Sequence, residues 1–187
     1  MKKIAIFASG SGSNAENIIS FFKTEKTAVV TKVFCNNPKA AVFERCKRLQ
    51  VDAVLFSRED FFKSDTILNQ LKGVADYIVL AGFLLKIPTN IIEAFPNKII
   101  NIHPALLPKY GGKGMYGMHV HNAVKENNES ETGFTIHFVN ENYDEGAIIF
   151  QATTKLESSD SPEDIAQKIH ALEYKHFQKI IESVVLQ

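Results

Sequence analysis

This chain is poor in cysteine, carries no excess of either charge and has no long apolar run, and each shortage closes off a class of function. Its two cysteines, Cys35 and Cys46, lack CxxC spacing, so the sequence offers neither a disulfide framework nor a thiolate metal site. Twenty-one Lys and Arg residues against 21 Asp and Glu leave a net charge of zero, with no basic tail to draw in nucleic acid or another polyanion. The start Met1-Lys2-Lys3-Ile4-Ala5-Ile6-Phe7 is basic and then apolar, but Ser9-Gly10-Ser11-Gly12 interrupts it before a signal peptide or membrane span can form. A cytoplasmic protein without a nucleic-acid or membrane partner is expected.

With 187 residues and 45% apolar content, the chain can enclose one hydrophobic core, and a single domain over 1–187 is expected. Short β-branched runs at 4–8, 29–35, 53–56, 77–81 and 99–103 alternate with helix-like segments at 14–23, 39–49, 61–71 and, opened by Pro88, 89–95. That alternation predicts a doubly wound, Rossmann-like α/β arrangement, a mostly parallel sheet with helices on both faces. Beyond Pro108 come a glycine-rich loop, a short helix near 120–125, and β-like runs at 133–139 and 147–156, a hairpin pattern that predicts an antiparallel C-terminal part. Ser161-Pro162-Glu163-Asp164 places an N-cap, a first-position proline and two acids at the start of a last helix reaching Val185.

The run Ile99-Ile100-Asn101-Ile102-His103-Pro104-Ala105-Leu106-Leu107-Pro108 carries the most chemistry. Side chains alternate along a strand, so Asn101 and His103 share one face while Ile100 and Ile102 pack on the other, and Pro104 ends the ladder. At the carboxyl end of a parallel strand, an amide donor beside an imidazole can hold a developing oxyanion and shuttle a proton; the alternative is a buried pair that bonds only backbone. Upstream, the first strand feeds Ser9-Gly10-Ser11-Gly12-Ser13-Asn14 into a helix, where glycines permit close approach and the helix N–H groups and dipole suit a phosphate. Ala15 is tolerated by the dinucleotide fingerprint, but Cys35-Asn36-Asn37-Pro38 supplies no acid at the end of the second strand, so the ribose partner of NAD is missing. A turn that binds nothing is the competing reading of this loop. In Asn140-Glu141-Asn142-Tyr143-Asp144-Glu145-Gly146, Asp144 is the candidate partner of His103, because a carboxylate beside an imidazole raises its pKa toward and above neutrality. Taken alone, an Asp before Glu-Gly is also the residue type of a solvated turn.

Gly10-Ser11-Gly12-Ser13-Asn14, Ala81-Gly82-Phe83, Asn101-Ile102-His103-Pro104, Leu106-Leu107-Pro108-Lys109-Tyr110 and Asp144, in this order of motifs over residues 3–177, resemble the folate-dependent formyltransferases. The Gly-Ser-Asn loop narrows the resemblance to the purine-pathway branch. It implies direct transfer of the formyl group from 10-formyltetrahydrofolate, as co-substrate, to the primary amine of glycinamide ribonucleotide, with no metal and no covalent enzyme intermediate. Asn101 and a protonated His103 would hold the tetrahedral oxyanion, with Asp144 keeping His103 charged and helping a proton pass from the attacking amine to the departing folate nitrogen. The resemblance also implies that Gly12, Ser13 and Asn14 take the phosphate and Glu173 the ribose or glycinamide portion. For the folate it implies Arg58, Leu84, Leu85, Lys86, Ile87 and Asn101, with Asn140, Glu141, Asn142, Tyr143 and Asp144, as walls and backbone partners of the pterin. A nucleotide-phosphate half over about 1–100 and a folate and catalytic half over about 80–187 follow from the same resemblance. His119, His121 and His137 match positions near the site in relatives, or serve structure alone.

Three departures from the family pattern stand out. Ala105 replaces a common Ser, Glu145 replaces a second Gly beside Asp144, and the segment 111–116 is longer and glycine-rich, which suggests a mobile flap. Within the same chemistry, the alternatives are an amino-sugar N-formyltransferase and a deformylase that gives the formyl group to water. Outside it, the alternative is a nonenzymatic nucleotide-binding module with an inert strand end.

Overall fold

The computed structural model describes residues 1–187, in the order β1 (Lys2–Ala8), α1 (Ser13–Glu25), β2 (Ala28–Cys35), α2 (Val42–Arg48), β3 (Asp52–Leu55), α3 (Arg58–Phe62), α4 (Thr66–Val74), β4 (Tyr77–Leu80), α5 (Thr89–Ala94), β5 (Ile99–His103), α6 (Met118–Glu126), β6 (Glu131–Phe138), β7 (Ile148–Lys155) and α7 (Pro162–Val185). Two compact units make up the chain, one formed by 1–100 with 178–187 and the other by 101–177. In the first, β1 pairs in parallel with β2 and β4, and β2 with β3. Ile4, Ala5, Ile6, Phe7 and Ala8 are all 0% exposed, so β1 is covered on both faces, as a parallel strand between helical layers must be. Phe7 stacks on Phe34 at 5.0 Å and meets the rings of Phe56, Phe61 and Phe83 edge-on or tilted, an aromatic core under the carboxyl ends of the strands.

In the second unit β6 and β7 run antiparallel, from Glu131 opposite Lys155 to His137 opposite Ile148. The strand order is β3-β2-β1-β4-β5-β6-β7, which is the expected α/β class: a mostly parallel sheet with an antiparallel C-terminal part. β5 occupies the expected residues, and Pro104 follows it directly. α7 opens on a reciprocal cap, Asp164 N–H donating to Ser161 Oγ at 3.1 Å and Ser161 N–H to Asp164 Oδ2 at 2.9 Å. No helix is long and apolar enough to cross a membrane.

One helical expectation fails. The single helix read over 61–71 is two, α3 and α4, because local side-chain bonds outweigh the apolar periodicity. A capping box between Ser57 and Asp60 starts α3 early, and Ser64 Oγ then donates to the Asp60 carbonyl at 3.0 Å and ends it. The helix read over 39–49 likewise shortens to Val42–Arg48, with Lys39 N–H donating to Asn37 Oδ1 at 3.0 Å in a turn ahead of it.

Candidate active site

The turn that follows β5 is fixed by a single hydroxyl. Thr135 Oγ1, 0% exposed on β6, donates to the Ala105 carbonyl at 2.7 Å and accepts from the Leu107 N–H at 3.0 Å and from Gln151 Nε2 at 2.9 Å. One donor and two acceptor sites are the full capacity of a hydroxyl, so this threonine is saturated. Gln151 also donates to the Leu107 carbonyl at 3.1 Å. The end of β5 is thereby held against the β6–β7 hairpin, and His103 with it.

Asn101 and His103 do lie together with Asp144, and His137 joins them. Asn101 Nδ2 is 3.1 Å from His137 Nε2, while His137 Nδ1 is 2.8 Å from the Phe138 carbonyl. A carbonyl only accepts, so Nδ1 carries the proton and Nε2 accepts from the Asn101 amide. By the same reasoning His103 Nε2–H donates to the Tyr110 carbonyl at 2.7 Å, which turns Nδ1 toward Asp144, 3.6 Å from its Oδ2. Asp144 Oδ1 lies 3.6 Å from His137 Nε2. Both separations are too long for hydrogen bonds. The carboxylate instead accepts the Gly112 N–H at 3.0 Å, and its side chain is only 11% exposed, so it is no solvated turn residue.

The electrostatics correct one expectation. His103 is 3% exposed, and its burial pushes the pKa below the ordinary 6.5; Asp144 and the Tyr110 carbonyl oppose that effect without overcoming it. Burial thus favours the neutral ring, against the expectation that Asp144 raises the pKa. Burial pushes Asp144 upward, but the rings of His137 and His103 and the Gly112 N–H outweigh it and keep the carboxyl below its usual range. His121, 6% exposed on α6, is lowered chiefly by burial, with Glu173 opposing. Glu173 itself is 8% exposed on α7, 3.8 Å from His170.

In the first unit, Gly12 precedes α1 at φ 73°, and a Cβ there would stand 2.5 Å from Val42 Cγ2, so the position admits only glycine. Ser13 and Asn14 open the helix, where the first N–H groups have no intrahelical partner. Asn36 and Asn37, which stand where NAD recognition wants an acid, serve structure: Ser9 Oγ donates to Asn36 Oδ1 at 2.7 Å and Asn37 Nδ2 to the Ser9 carbonyl at 3.2 Å. Ser9 Oγ also accepts the Leu84 N–H at 3.1 Å, which fixes the start of the segment 84–87. Within that segment Leu84 is 52% exposed and Ile87 is buried at 4%, while Leu85 is half-buried and Lys86 exposed. Arg58 packs its guanidinium over the Phe62 ring at 5.4 Å. In the second unit, Asn142 N–H donates to Asn140 Oδ1 at 2.9 Å, and Asn140, Glu141, Asn142, Tyr143 and Glu145 are exposed around the inward Asp144.

Sequence reasoning missed Thr135 and Gln151 and left His137 open. The available signal was period: Thr135 and His137 stand two apart, alternating with Phe134, Ile136 and Phe138, on one face, and polar side chains on a buried face need partners.

A formyl transferase family model matches residues 2–181. The chain is 36% identical to the chloroplastic phosphoribosylglycinamide formyltransferase of Arabidopsis thaliana, covering 98% of this chain and 65% of that protein. It is 35% identical to the Bacillus subtilis phosphoribosylglycinamide formyltransferase, covering 99% of this chain and 95% of that one. The plant relatives are longer, and the chain spans 65% and 61% of their length in Arabidopsis thaliana and Vigna unguiculata. Among solved structures, glycinamide ribonucleotide transformylase 1 from Geobacillus kaustophilus superposes with a TM-score of 0.89 at 34% identity, covering 98% of each chain. A family match over nearly the whole chain, together with these relatives, shows that the chain belongs to the formyl transferase family.

Proposed function

We propose that this chain transfers the formyl group of 10-formyltetrahydrofolate to the amine of glycinamide ribonucleotide in purine biosynthesis, the activity for which its relatives are named. The observation that carries the reading is the convergence of Asn101, His103 and Asp144 at the end of β5. The uncharged amine attacks the formyl carbon; a C–N bond forms there, the bond to the folate nitrogen breaks, and one proton leaves the amine as one arrives at the folate nitrogen. The Asn101 amide is a preorganised donor for the intervening oxyanion, and His103, whose Nε2–H is held by the Tyr110 carbonyl, stands on the same strand face to carry a proton. As negative charge develops, the neutral imidazole gains proton affinity. Its free Nδ1 faces Asp144, so the imidazolium forms against a carboxylate that is already ionised.

Gly12, Ser13 and Asn14 bind the phosphate, with Glu173 toward the ribose or glycinamide portion. The family pattern assigns Arg58, Leu84, Leu85, Lys86 and Ile87 to the folate, and assigns it Asn101, Asn140, Glu141, Asn142, Tyr143 and Asp144 as well. We further propose a cytoplasmic monomer or homodimer that binds no nucleic acid, consistent with balanced charge. The test is a two-substrate assay with the product identified by mass, run with and without chelator. Formylated glycinamide ribonucleotide formed at the same rate in both is the expected result. Free formate as the sole product, or strict dependence on added metal, refutes the reading.

A further inference from the structure

Resting on the proposed phosphate site, we infer that Arg45 is a positioning residue of the loop 10–14, fixing its carbonyls so that its N–H groups face the nucleotide. An anion is repelled by carbonyl oxygens as strongly as it is attracted by N–H groups, so a loop that binds phosphate must dispose of its carbonyls elsewhere. Here each has an acceptor's role already. The Gly10 carbonyl accepts the Val42 N–H at 3.3 Å, the Ser11 carbonyl accepts Arg45 Nε–H at 2.8 Å, and the Gly12 carbonyl accepts the Glu16 N–H at 2.8 Å as the first bond of α1. The loop lies directly against α2, because Gly12 leaves no room for a Cβ beside Val42.

The Arg45 side chain is itself held. Its Nη1 bonds Glu16, which also binds Arg48, so the planar guanidinium is held at one end by a carboxylate while Nε points at Ser11. Part-exposed ion pairs contribute little to stability, so a simple α1–α2 staple is a weak reason for this array. Arg48 supplies the internal control: it shares Glu16, is 64% exposed against 31% for Arg45, and bonds that carboxylate rather than a loop carbonyl.

The experiment measures steady-state kinetics for both substrates, with deuterium exchange of the ligand-free loop, in Arg45→Gln, Arg45→Lys and Arg48→Gln. Loss of a charge-assisted hydrogen bond predicts a KM for glycinamide ribonucleotide raised about 10-fold to 100-fold in both Arg45 variants. Because the contact acts equally in ground and transition states, kcat should stay within about threefold and the folate KM should not move. Lysine keeps the charge but cannot hold Glu16 and the Ser11 carbonyl together, so it should fail as glutamine does. Exchange over 10–14 should quicken in the Arg45 variants and not in Arg48→Gln. Rescue by lysine, an equal effect from Arg48→Gln, or a loss confined to kcat overturns the inference. If the wild-type protein makes no formylated product, the proposed function fails, while titration with ribose 5-phosphate and the exchange comparison still decide the role of Arg45.

Discussion

Replacing Asp144 with asparagine separates the charge of this residue from its shape. The amide oxygen can still accept the Gly112 N–H, so the turn keeps its anchor, and what disappears is the negative charge 3.6 Å from His103 Nδ1. For a buried pair at this separation, an effective dielectric near 20 makes the interaction of carboxylate with imidazolium worth about 4–5 kcal/mol. If the barrier is crossed with His103 charged, that loss corresponds to about three powers of ten in rate. Water or the amide dipole recovers part of it, so we expect kcat to fall on the order of 100-fold to 1,000-fold, within the range of acid–base groups. The assay is turnover at saturating concentrations of both substrates, with circular dichroism to confirm the fold. The KM for the nucleotide should change little, since Asp144 acts through His103 and not on the phosphate. A variant that turns over within about threefold of wild type would remove Asp144 from the chemistry.

Three further outcomes follow from particular contacts. His103 and His121 are both held below the ordinary histidine value of 6.5, so as pH falls through that value the unfolded chain takes up protons first and stability drops. Thermal denaturation across about pH 7.5 to 5.5 should show a falling Tm, with a smaller fall in His121→Gln; a flat or rising Tm contradicts the assignment. In Gly111→Ala, the new Cβ would stand 2.6 Å from Leu107 Cδ2 and 3.3 Å from Asp144 Cβ. Because Leu107 is buried and cannot swing clear, the strain should reach Asp144 and lower kcat by about tenfold through misplacement; unchanged kcat would show that the turn relaxes elsewhere. Ser161→Ala removes the cap of α7 and should cost about 1 kcal/mol in urea unfolding, with activity at 25 °C unchanged.

The parts of this molecule that were legible in its sequence are those set by local rules. β5 could be read to the residue because β-branched alternation ends in a proline, and its two polar side chains could be put on one face from pleat geometry alone. The capped start of α7 was equally local. The break between α3 and α4 was not, since an apolar repeat runs through it and only the Ser57–Asp60 and Ser64–Asp60 bonds interrupt it. Asp144 was reached through the family pattern, because its approach to His103 depends on how the β6–β7 connection closes. There the Phe138 N–H donates to the Ala147 carbonyl at 2.9 Å, and Gly146 sits so near Phe138 that a Cβ would fall 1.7 Å from the Phe138 carbonyl oxygen. No short-range pattern encodes that approach.

The lowered pKa of His103, expected to be raised, shows what sequence reasoning lacks most. Pairing a histidine with an aspartate predicts a raised pKa only if the two groups gain more from each other than the ring loses by leaving water. Here the ring is almost wholly enclosed, and its one short hydrogen bond, from Nε2 to the Tyr110 carbonyl, is one that neutral imidazole can also make. The adjoining backbone spends its next donor, the Gly112 N–H, on Asp144. The segment 110–112 thus holds the acid and the imidazole in fixed orientation while satisfying each in its resting charge state, carboxylate and neutral ring. An enclosed neutral base beside an ionised carboxylate meets developing charge with little reorganisation, because the imidazolium, once formed, already has its counter-charge in place.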